Sequence, residues 1–216
     1  MEIILRRPSK DDWAITVDKT ALVVIDMQRA FVDKGTPTEC VGARELVPKI
    51  NALAAVCRRL RIPVIFIKAT RRIDQLDSGL MNDMYAGDPD DEMRALDGRK
   101  GAEFCNGLNI MQDDYIVPKK RYSALIAGSS NLETLLRSLN RDRFIICGVA
   151  TDVCVGTTTT DGMMLGFKVF FISDLTATLS EERQRVALEV YDRHFAKVMT
   201  FDAVMKELAQ LAQQVS

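Results

Sequence analysis

The feature of this sequence that most constrains its fold is an alternation of short apolar runs with longer segments of helical periodicity. The first run, 21–26, is apolar until its final acid. Continuous apolar runs without polar alternation are typical of strands that are buried on both faces of a sheet. Strands are predicted at 21–26, 63–69, 115–117, 143–149, 168–173 and 196–200, and helices at 44–60, 131–139, 152–166, 181–195 and 202–213. This order predicts an α/β protein whose parallel sheet is covered by helices on both faces.

One long segment interrupts this alternation. Residues 71–114 are polar, contain scattered glycines and are long for a connection between two strands. Such loops commonly close over a binding site or contribute residues to it. The chain has 216 residues, which suits one domain at about 150 residues per domain, and its 47% hydrophobic residues can fill a core. We therefore expect a single domain over residues 1–216 with a lid or specificity loop at about 71–114.

Composition excludes several classes of function. Lys and Arg number 29 against 30 Asp and Glu, with no basic block, which argues against a nucleic-acid partner. No apolar run approaches the roughly 18 residues of a membrane span, and the amino terminus lacks the order of a signal peptide. Five cysteines without a CxxC pair argue against a disulfide scaffold, and the single histidine, His194, argues against a multi-histidine metal site. We expect a reduced, cytoplasmic protein without nucleic-acid or membrane partners.

Residues that could carry chemistry follow three of the predicted strands. Asp26 ends the first, Lys119 follows the third, and Cys154 follows the fourth. The carboxyl ends of parallel strands meet at one edge of a sheet, where ligands bind, so these side chains are expected to converge. Cys154 lies near a predicted helix start, where backbone N–H groups and the helix dipole lower a thiol pKa. The alternative is that Cys154 only fills space in the core, as most cysteines do.

The remaining cysteines and the histidine have weaker claims. Cys57 and Cys147 fall on predicted apolar faces and are assigned to the core, whereas Cys40 and Cys105 fall in loops and receive no role. His194 lies at a predicted helix end, away from the edge where the strands end. Neither a GxGxxG after the first strand nor a GxxxxGK[ST] is present, which argues against nucleotide binding.

Three segments of the sequence, 22–28, 119–124 and 148–155, resemble the motifs of the isochorismatase-like cysteine hydrolases. This family includes nicotinamidases, N-carbamoylsarcosine amidohydrolase, ureidoacrylate and biuret hydrolases, and isochorismatase. The order and spacing of the segments fit over about residues 20–200. The resemblance implies a three-layer α/β/α fold with a doubly wound, six-stranded parallel sheet in the order 3-2-1-4-5-6.

The same resemblance implies a catalytic arrangement. The family's Asp–Lys–Cys triad would be Asp26, Lys119 and Cys154, and a cis peptide bond would join Val149 to Ala150. The backbone N–H groups of Ala150 and Cys154 would then form an oxyanion hole. The implied reaction is the cleavage of a C–N bond through a covalent thioester or S-carbamoyl enzyme, and it requires no metal and no cofactor.

Within the family, two activities can be weighed against this sequence. Nicotinamidases carry metal-binding histidines after the second strand, whereas residues 68–74 contain none. The best-known isochorismatases replace the nucleophilic cysteine, whereas Cys154 is present. We therefore expect an amidohydrolase that releases ammonia from a small ureido, carbamoyl or primary amide substrate. The alternatives are a vinyl ether hydrolase of the isochorismatase type, a silent binding module on the same fold, and a Cys–His enzyme that uses His194.

Substrate contacts and assembly are predicted from motif position. Arg71 or Arg72, which follow the second strand, could bind a substrate carboxylate through two parallel hydrogen bonds, or could be solvated residues opening a polar loop. Gln28, Phe31 and Tyr122 are expected to border the substrate. Helices on both faces, together with the oligomeric state of relatives, predict a homo-oligomer, either a dimer or a tetramer.

Overall fold

The protein folds around one six-stranded sheet. The computed structural model describes residues 9–84 and 91–215. The strands run in the order β3-β2-β1-β4-β5-β6, and every neighbouring pair is parallel. They are β1 (Thr20–Ile25), β2 (Val64–Ala69), β3 (Tyr115–Lys119), β4 (Arg143–Val149), β5 (Lys168–Ala177) and β6 (Lys197–Met199). The predicted fold class and strand order are confirmed.

Helices cover both faces of this sheet. They are α1 (Arg29–Val32), α2 (Ala43–Arg59), α3 (Leu132–Ser138), α4 (Gly156–Met164), α5 (Glu181–His194) and α6 (Phe201–Val215). Alternate residues of β1 divide between two apolar cores, because successive side chains of a strand point to opposite faces. Leu22 and Val24 join the core under α2 and α6. Ala21, Val23 and Ile25 join the other core, to which α3 and α5 contribute.

Most helices and strands begin and end close to the predicted residues. The main differences are at the ends of β3 and β5 and at the start of α4. The third strand continues to Lys119 rather than ending at 117, and β5 continues to Ala177 rather than 173. The pairing of β4 with β5 shifts register between Ile146 and Gly148, which accommodates that longer strand. The helix predicted from about 152 begins at Gly156, because a wider π-helical turn, Thr151–Val155, precedes it. The short helix α1 was not predicted.

Residues 71–114, here called the lid, connect β2 to β3, as the sequence predicted. Within its described part, the lid contains two 3-10 turns, Gly79–Asn82 and Lys100–Ala102. Cys105 N–H donates to Met27 O at 2.9 Å, two residues after β1, and Asp97 N–H donates at 2.8 Å to the carbonyl of Arg71, the lid's own first residue, which lies two residues after β2. The lid is therefore anchored over the carboxyl ends of β1 and β2.

All five cysteines are free and buried. Cys57 and Cys147 lie in the apolar core, as predicted, and Cys40 and Cys105 lie in loops. In the part of the chain that the structure describes, no helix combines the length and the apolar composition needed to cross a membrane.

Candidate active site

The acid, the lysine and the cysteine predicted to converge do so at the carboxyl edge of the sheet. Lys119 Nζ lies 2.8 Å from Asp26 Oδ2 and donates a hydrogen bond to Cys154 Sγ at 3.3 Å. Lys119 Nζ also donates to Arg121 O at 3.0 Å. Lys119 is only 2% exposed and Asp26 only 1%. The ion pair offsets part of the cost of removing both charges from water, because an isolated buried charge would be costly to desolvate.

Asp26 is aimed by the way in which β1 ends. Its backbone adopts a left-handed conformation, with φ 50°, directly after the last strand residue. Few residues other than glycine take this conformation, and Asp is among those that do so most readily. The carboxylate Oδ1 accepts the N–H of Ala69 at 3.1 Å, which holds it against the end of β2. The turn at Asp26 and the hydrogen bond from Ala69 thus leave Oδ2 directed towards Lys119.

Strands β1 and β4 approach closely just before the two reactive residues. Gly148 pairs with Ile25, and a Cβ on Gly148 would lie 2.1 Å from Ile25 O. Gly148 also has φ 110°, a conformation that side-chain-bearing residues rarely adopt. Only glycine therefore allows β4 to run this close to β1 and to deliver Cys154 beside Asp26.

Cys154 projects from the π-helical turn that follows β4. The N–H groups of Val153 and Val155, on either side of Cys154, both donate to Ala150 O at 3.1 Å. The peptide bond between Val149 and Ala150 is cis, as the resemblance implied. Ala150 and Cys154 both line the cavity described below. Their expected role as oxyanion donors remains a prediction.

Helix α5 braces this turn from behind. Thr151 Oγ1 donates to Gln184 Oε1 at 2.5 Å, and Asp152 forms an ion pair with Arg183, with Nη2 to Oδ2 at 2.5 Å. Gln184 in turn donates to the carbonyl groups of β5 residues. The π-helical turn that carries Cys154 is therefore fixed between β5 and α5. His194 ends the same helix but does not line the cavity, which removes support from a Cys–His mechanism.

Burial and pairing set the protonation of the site. Burial acts to lower the pKa of Lys119, but the adjacent Asp26 carboxylate and Cys154 sulfur outweigh it and leave that pKa raised. Burial raises the pKa of the Cys154 thiol to about 12, against the opposing effect of Lys119, while Asp26 adds to the rise. The expectation of a lowered thiol pKa was therefore wrong: desolvation outweighs any effect of the helix start. The resting thiol is neutral and needs a proton acceptor before it can attack.

The three side chains open into a cavity of about 310 Å³. Its walls are largely apolar, and charged side chains are among the residues that line it. The lining residues outside the triad are Phe31, Pro37, Thr38, Cys40, Ala69, Arg71, Met81, Asp91, Met93, Arg94, Ala95, Lys120, Arg121, Tyr122, Val149, Ala150, Val153 and Leu179. The volume suits a small molecule.

Three of the five predicted substrate neighbours, Phe31, Arg71 and Tyr122, line this cavity. Gln28 does not: it is fully buried, donates to Ala69 O at 2.7 Å and to Ala102 O at 3.0 Å, and accepts the N–H of Ala69. Its place in the motif reflects a bracing role between β1, β2 and the lid. Arg72 does not line the cavity either, because its guanidinium turns outward to pair with Asp74. These two predictions of substrate contact are corrected.

Sequence reasoning missed most of the lid's contribution. Met81 reaches the cavity from a short 3-10 turn, and Met93 and Arg94 reach it from irregular backbone. These segments have no periodicity that indicates which side chains face inward. Lys120 and Arg121 were within a recognised motif, and their position beside Lys119 was an available signal. Cys40, which had been given no role, also lines the cavity.

Comparison with known proteins gives consistent matches over most of the chain. The family model described as the isochorismatase domain matches residues 20–203. A "probable inactive nicotinamidase" of Arabidopsis thaliana is 32% identical over 165 residues, 76% of this chain and 83% of that protein. Enterobactin synthase component B of Escherichia coli K12 is 31% identical over 89% of this chain, which spans 65% of that protein. A cysteine hydrolase structure from Pseudomonas syringae pv. phaseolicola superposes with TM-score 0.84 at 28% identity, covering 92% of this chain and 96% of that one.

Proposed function

The chain belongs to the isochorismatase family of hydrolases, and from that premise we propose that it is a cysteine-dependent amidohydrolase. Its reaction is the hydrolysis of a C–N bond in a small ureido, carbamoyl or primary amide substrate, with release of ammonia. The observation that carries this proposal is Lys119, whose ammonium group contacts both Asp26 and Cys154 inside the cavity. A thiol, an acid and a linking cation are the groups that thiol-based acyl transfer needs.

The first half of the reaction forms a covalent enzyme. Asp26 accepts the thiol proton of Cys154 as Sγ bonds to the substrate carbonyl carbon. Lys119 stabilises the negative charge that passes between sulfur and carboxylate, since its ammonium lies within 3.3 Å of both. The tetrahedral intermediate then collapses: the C–N bond breaks, and Asp26 returns the proton to the leaving nitrogen. Ammonia departs, and a thioester or S-carbamoyl group remains on Cys154.

The second half restores the enzyme with water. Asp26 takes a proton from a water molecule as its oxygen attacks the carbonyl carbon of the covalent enzyme. The C–S bond breaks, and the sulfur regains the proton from Asp26, so the carboxylate and the thiol return to their starting states. The neutral resting thiol, with its pKa raised to about 12, is consistent with a cycle in which one carboxylate moves every proton.

Backbone donors complete the site. We assign the N–H groups of Ala150 and Cys154 to the oxyanion of each tetrahedral intermediate. This assignment is supported by the position of both residues on the cavity wall and by the hydrogen bonds that fix the turn around Cys154. Loss of one such donor typically raises the barrier by about 2.7–4 kcal/mol.

The second candidate is a vinyl ether hydrolase, which would act without a covalent bond to Cys154. Similarity to a Bacillus subtilis protein named isochorismatase, 27% identical over 93% of this chain, supports this candidate. The thiol bonded to Lys119 favours the amidohydrolase, because an ether hydrolase has no need of a nucleophilic sulfur. A silent binding module is a third candidate, and the complete buried triad argues against it.

The test is ammonia release from a panel of nicotinamide, N-carbamoyl amino acids, ureidoacrylate, biuret, triuret, maleamate and simple amides. Wild-type protein is compared with Cys154→Ala and with Cys105→Ala, a matched control that removes a buried lid thiol outside the cavity. Turnover of a ureido, carbamoyl or amide compound that is lost in Cys154→Ala and kept in Cys105→Ala supports the proposal. Turnover that Cys154→Ala retains in full contradicts it, as does a silent panel.

A further inference from the structure

The charges around the cavity are unbalanced once the triad is set aside. Asp26 and Lys119 compensate each other at the floor of the cavity. Among the described residues, the rest of the cavity is lined by four cationic side chains and one carboxylate, that of Asp91. The cations are Arg71, Arg94, Lys120 and Arg121. Among the described residues, the unreacting part of a substrate therefore meets more cationic side chains than carboxylates.

Two of these cations already serve the protein itself. Lys120 Nζ forms an ion pair with Asp77 Oδ2 at 2.9 Å. The guanidinium of Arg121 donates to the backbone carbonyls of Asp77 and Lys120 and packs under Gly79. Both residues thus fasten the first part of the lid to the end of β3. The charge of Lys120 is paired with Asp77, and Arg121 directs Nη1 at two backbone carbonyls.

Arg94 is placed differently. Its Nη2 donates to the side-chain amide oxygen of Gln75 at 2.9 Å. Within residues 9–84 and 91–215, no carboxylate lies within ion-pairing distance of this guanidinium. The amide of Gln75 is neutral, so it orients the guanidinium without cancelling its charge. A guanidinium carries five N–H donors, and the arrangement leaves a charged, half-buried fork at the cavity.

Gln75 is itself held in place. Its backbone is in the left-handed region, with φ 58°, inside a turn closed by its N–H bonding to Arg72 O at 2.9 Å. Its own carbonyl accepts the N–H of Ser78 at 3.0 Å and the amide of Asn82 at 3.3 Å. Arg94 is consequently preorganised, which reduces the ordering cost when it binds a ligand.

We propose that Arg94 is a specificity-determining residue that binds a carboxylate of the substrate, with Gln75 as its positioning residue. The substrate is then a small acid in which a carboxylate accompanies the ureido, carbamoyl or amide group, and this inference rests on the function proposed above. The guanidinium presents two parallel N–H donors in one plane, which match the two oxygens of a carboxylate. A substrate with a neutral amide in that position would leave the charge of the guanidinium without a counterion. The sequence pointed to Arg71 or Arg72 for this task. Arg72 turns outward to Asp74, and the proposal takes Arg94 because a neutral amide orients its guanidinium at the cavity.

The experiment measures equilibrium binding in the Cys154→Ala background, where turnover does not interfere. Isothermal titration compares N-carbamoylglycine with N-carbamoylglycinamide, which differ only in a carboxylate against a neutral amide. We expect the acid to bind about ten- to a hundredfold more tightly, as is typical of hydrogen bonds to charged groups. Arg94→Met should abolish this preference, and Arg94→Lys should retain part of it. Arg72→Met, a control in the same lid whose residue points away from the cavity, should leave the preference intact.

The outcomes separate the two proposals. An acid preference that Arg94→Met removes and Arg72→Met keeps supports the inference, even if the wild-type protein then releases no ammonia and the proposed reaction fails. Equal binding of acid and amide, no binding of either, or a preference that survives in Arg94→Met overturns the inference. In those cases ammonia release from neutral amides by the wild-type protein would leave the amidohydrolase proposal standing.

Discussion

The floor of the cavity, formed by Asp26, Lys119 and Cys154, and the lid of residues 71–114 hold their charges in opposite ways. At the floor, a fully buried cation and anion lie 2.8 Å apart, and a thiol completes the contact. In the lid, Arg94 is half-buried and its side chain is bonded to a neutral amide. A buried, compensated pair is costly to alter without loss of stability. A charge that faces a cavity can be exchanged more freely. On the proposed function, the reaction therefore belongs to the floor and the choice of substrate to the lid.

The largest contrast between the two regions should come from removing a carboxylate on each side. Asp26→Asn keeps the size of the side chain but removes the proton acceptor, so kcat for ammonia release should fall by about a thousandfold to ten-thousandfold. Asp91→Asn removes the lid carboxylate on the same cavity and should change kcat by less than about tenfold. Steady-state kinetics at saturating substrate measure both. Similar losses of kcat in the two variants would contradict a catalytic role that is specific to Asp26.

Adjacent lysines offer the second contrast, in stability. Lys119→Met leaves the buried carboxylate of Asp26 without its cation, which should lower the free energy of unfolding by about 3–5 kcal/mol. Lys120→Met removes a partly exposed ion pair to Asp77 and should cost less than about 1 kcal/mol. Urea unfolding of the two variants is the measurement. Equal costs would show that the floor pair contributes no more than a surface pair.

The third contrast compares two glutamines: Gln28, which braces buried backbone, and Gln75, which orients Arg94. Gln28→Leu leaves the buried carbonyls of Ala69 and Ala102 without their donor and should lower the free energy of unfolding by about 2 kcal/mol. Gln75→Leu should cost less than about 1 kcal/mol, because Gln75 is only half-buried and makes one side-chain bond, to Arg94. The second change should instead weaken the preference for an acid over its amide. Urea unfolding and titration calorimetry distinguish the two effects, and a reversed order of stabilities would contradict them.

The last prediction concerns the pH dependence of the floor thiol. Burial raises the pKa of Cys154 to about 12, so between pH 7 and pH 10 the thiolate fraction should rise by about tenfold per pH unit. Alkylation of Cys154 by iodoacetamide, followed by mass spectrometry, should rise in parallel. A thiol with the ordinary pKa of about 8.5 would instead level off above pH 9. A plateau in that range would show that Lys119 outweighs burial.

The floor was predictable from the sequence, whereas the lid was predictable only as a segment and not in the residues that face the cavity, for a physical reason. Asp26, Lys119 and Cys154 each follow an apolar run, and parallel strands bring their carboxyl ends to one edge, so spacing alone indicated that they converge. The resemblance supplied the strand order, which periodicity cannot give. Gln28 shows the limit of motif position, since its side chain, two residues after Asp26, braces backbone and does not line the cavity.

The lid lacks any comparable regularity. Arg72 and Arg94 are both lid arginines, and one turns outward to Asp74 while the other lines the cavity. Which of them faces inward depends on turns closed by individual hydrogen bonds, such as that of Gln75 N–H to Arg72 O. The thiol pKa of Cys154 was mispredicted for a related reason: position at a helix start is visible in the sequence, but the degree of desolvation is a property of the packed fold.

Trapping the covalent enzyme tests the central claim most directly. Wild-type protein is mixed with a substrate that it hydrolyses, quenched with acid during turnover, digested and analysed by mass spectrometry, with Cys154→Ala and Cys105→Ala in parallel. The account predicts an acyl or carbamoyl group on the peptide that contains Cys154, present in wild type and Cys105→Ala and absent in Cys154→Ala together with turnover. Turnover without any adduct, at a rate that Cys154→Ala retains, would contradict the thiol mechanism and favour hydrolysis without a covalent intermediate.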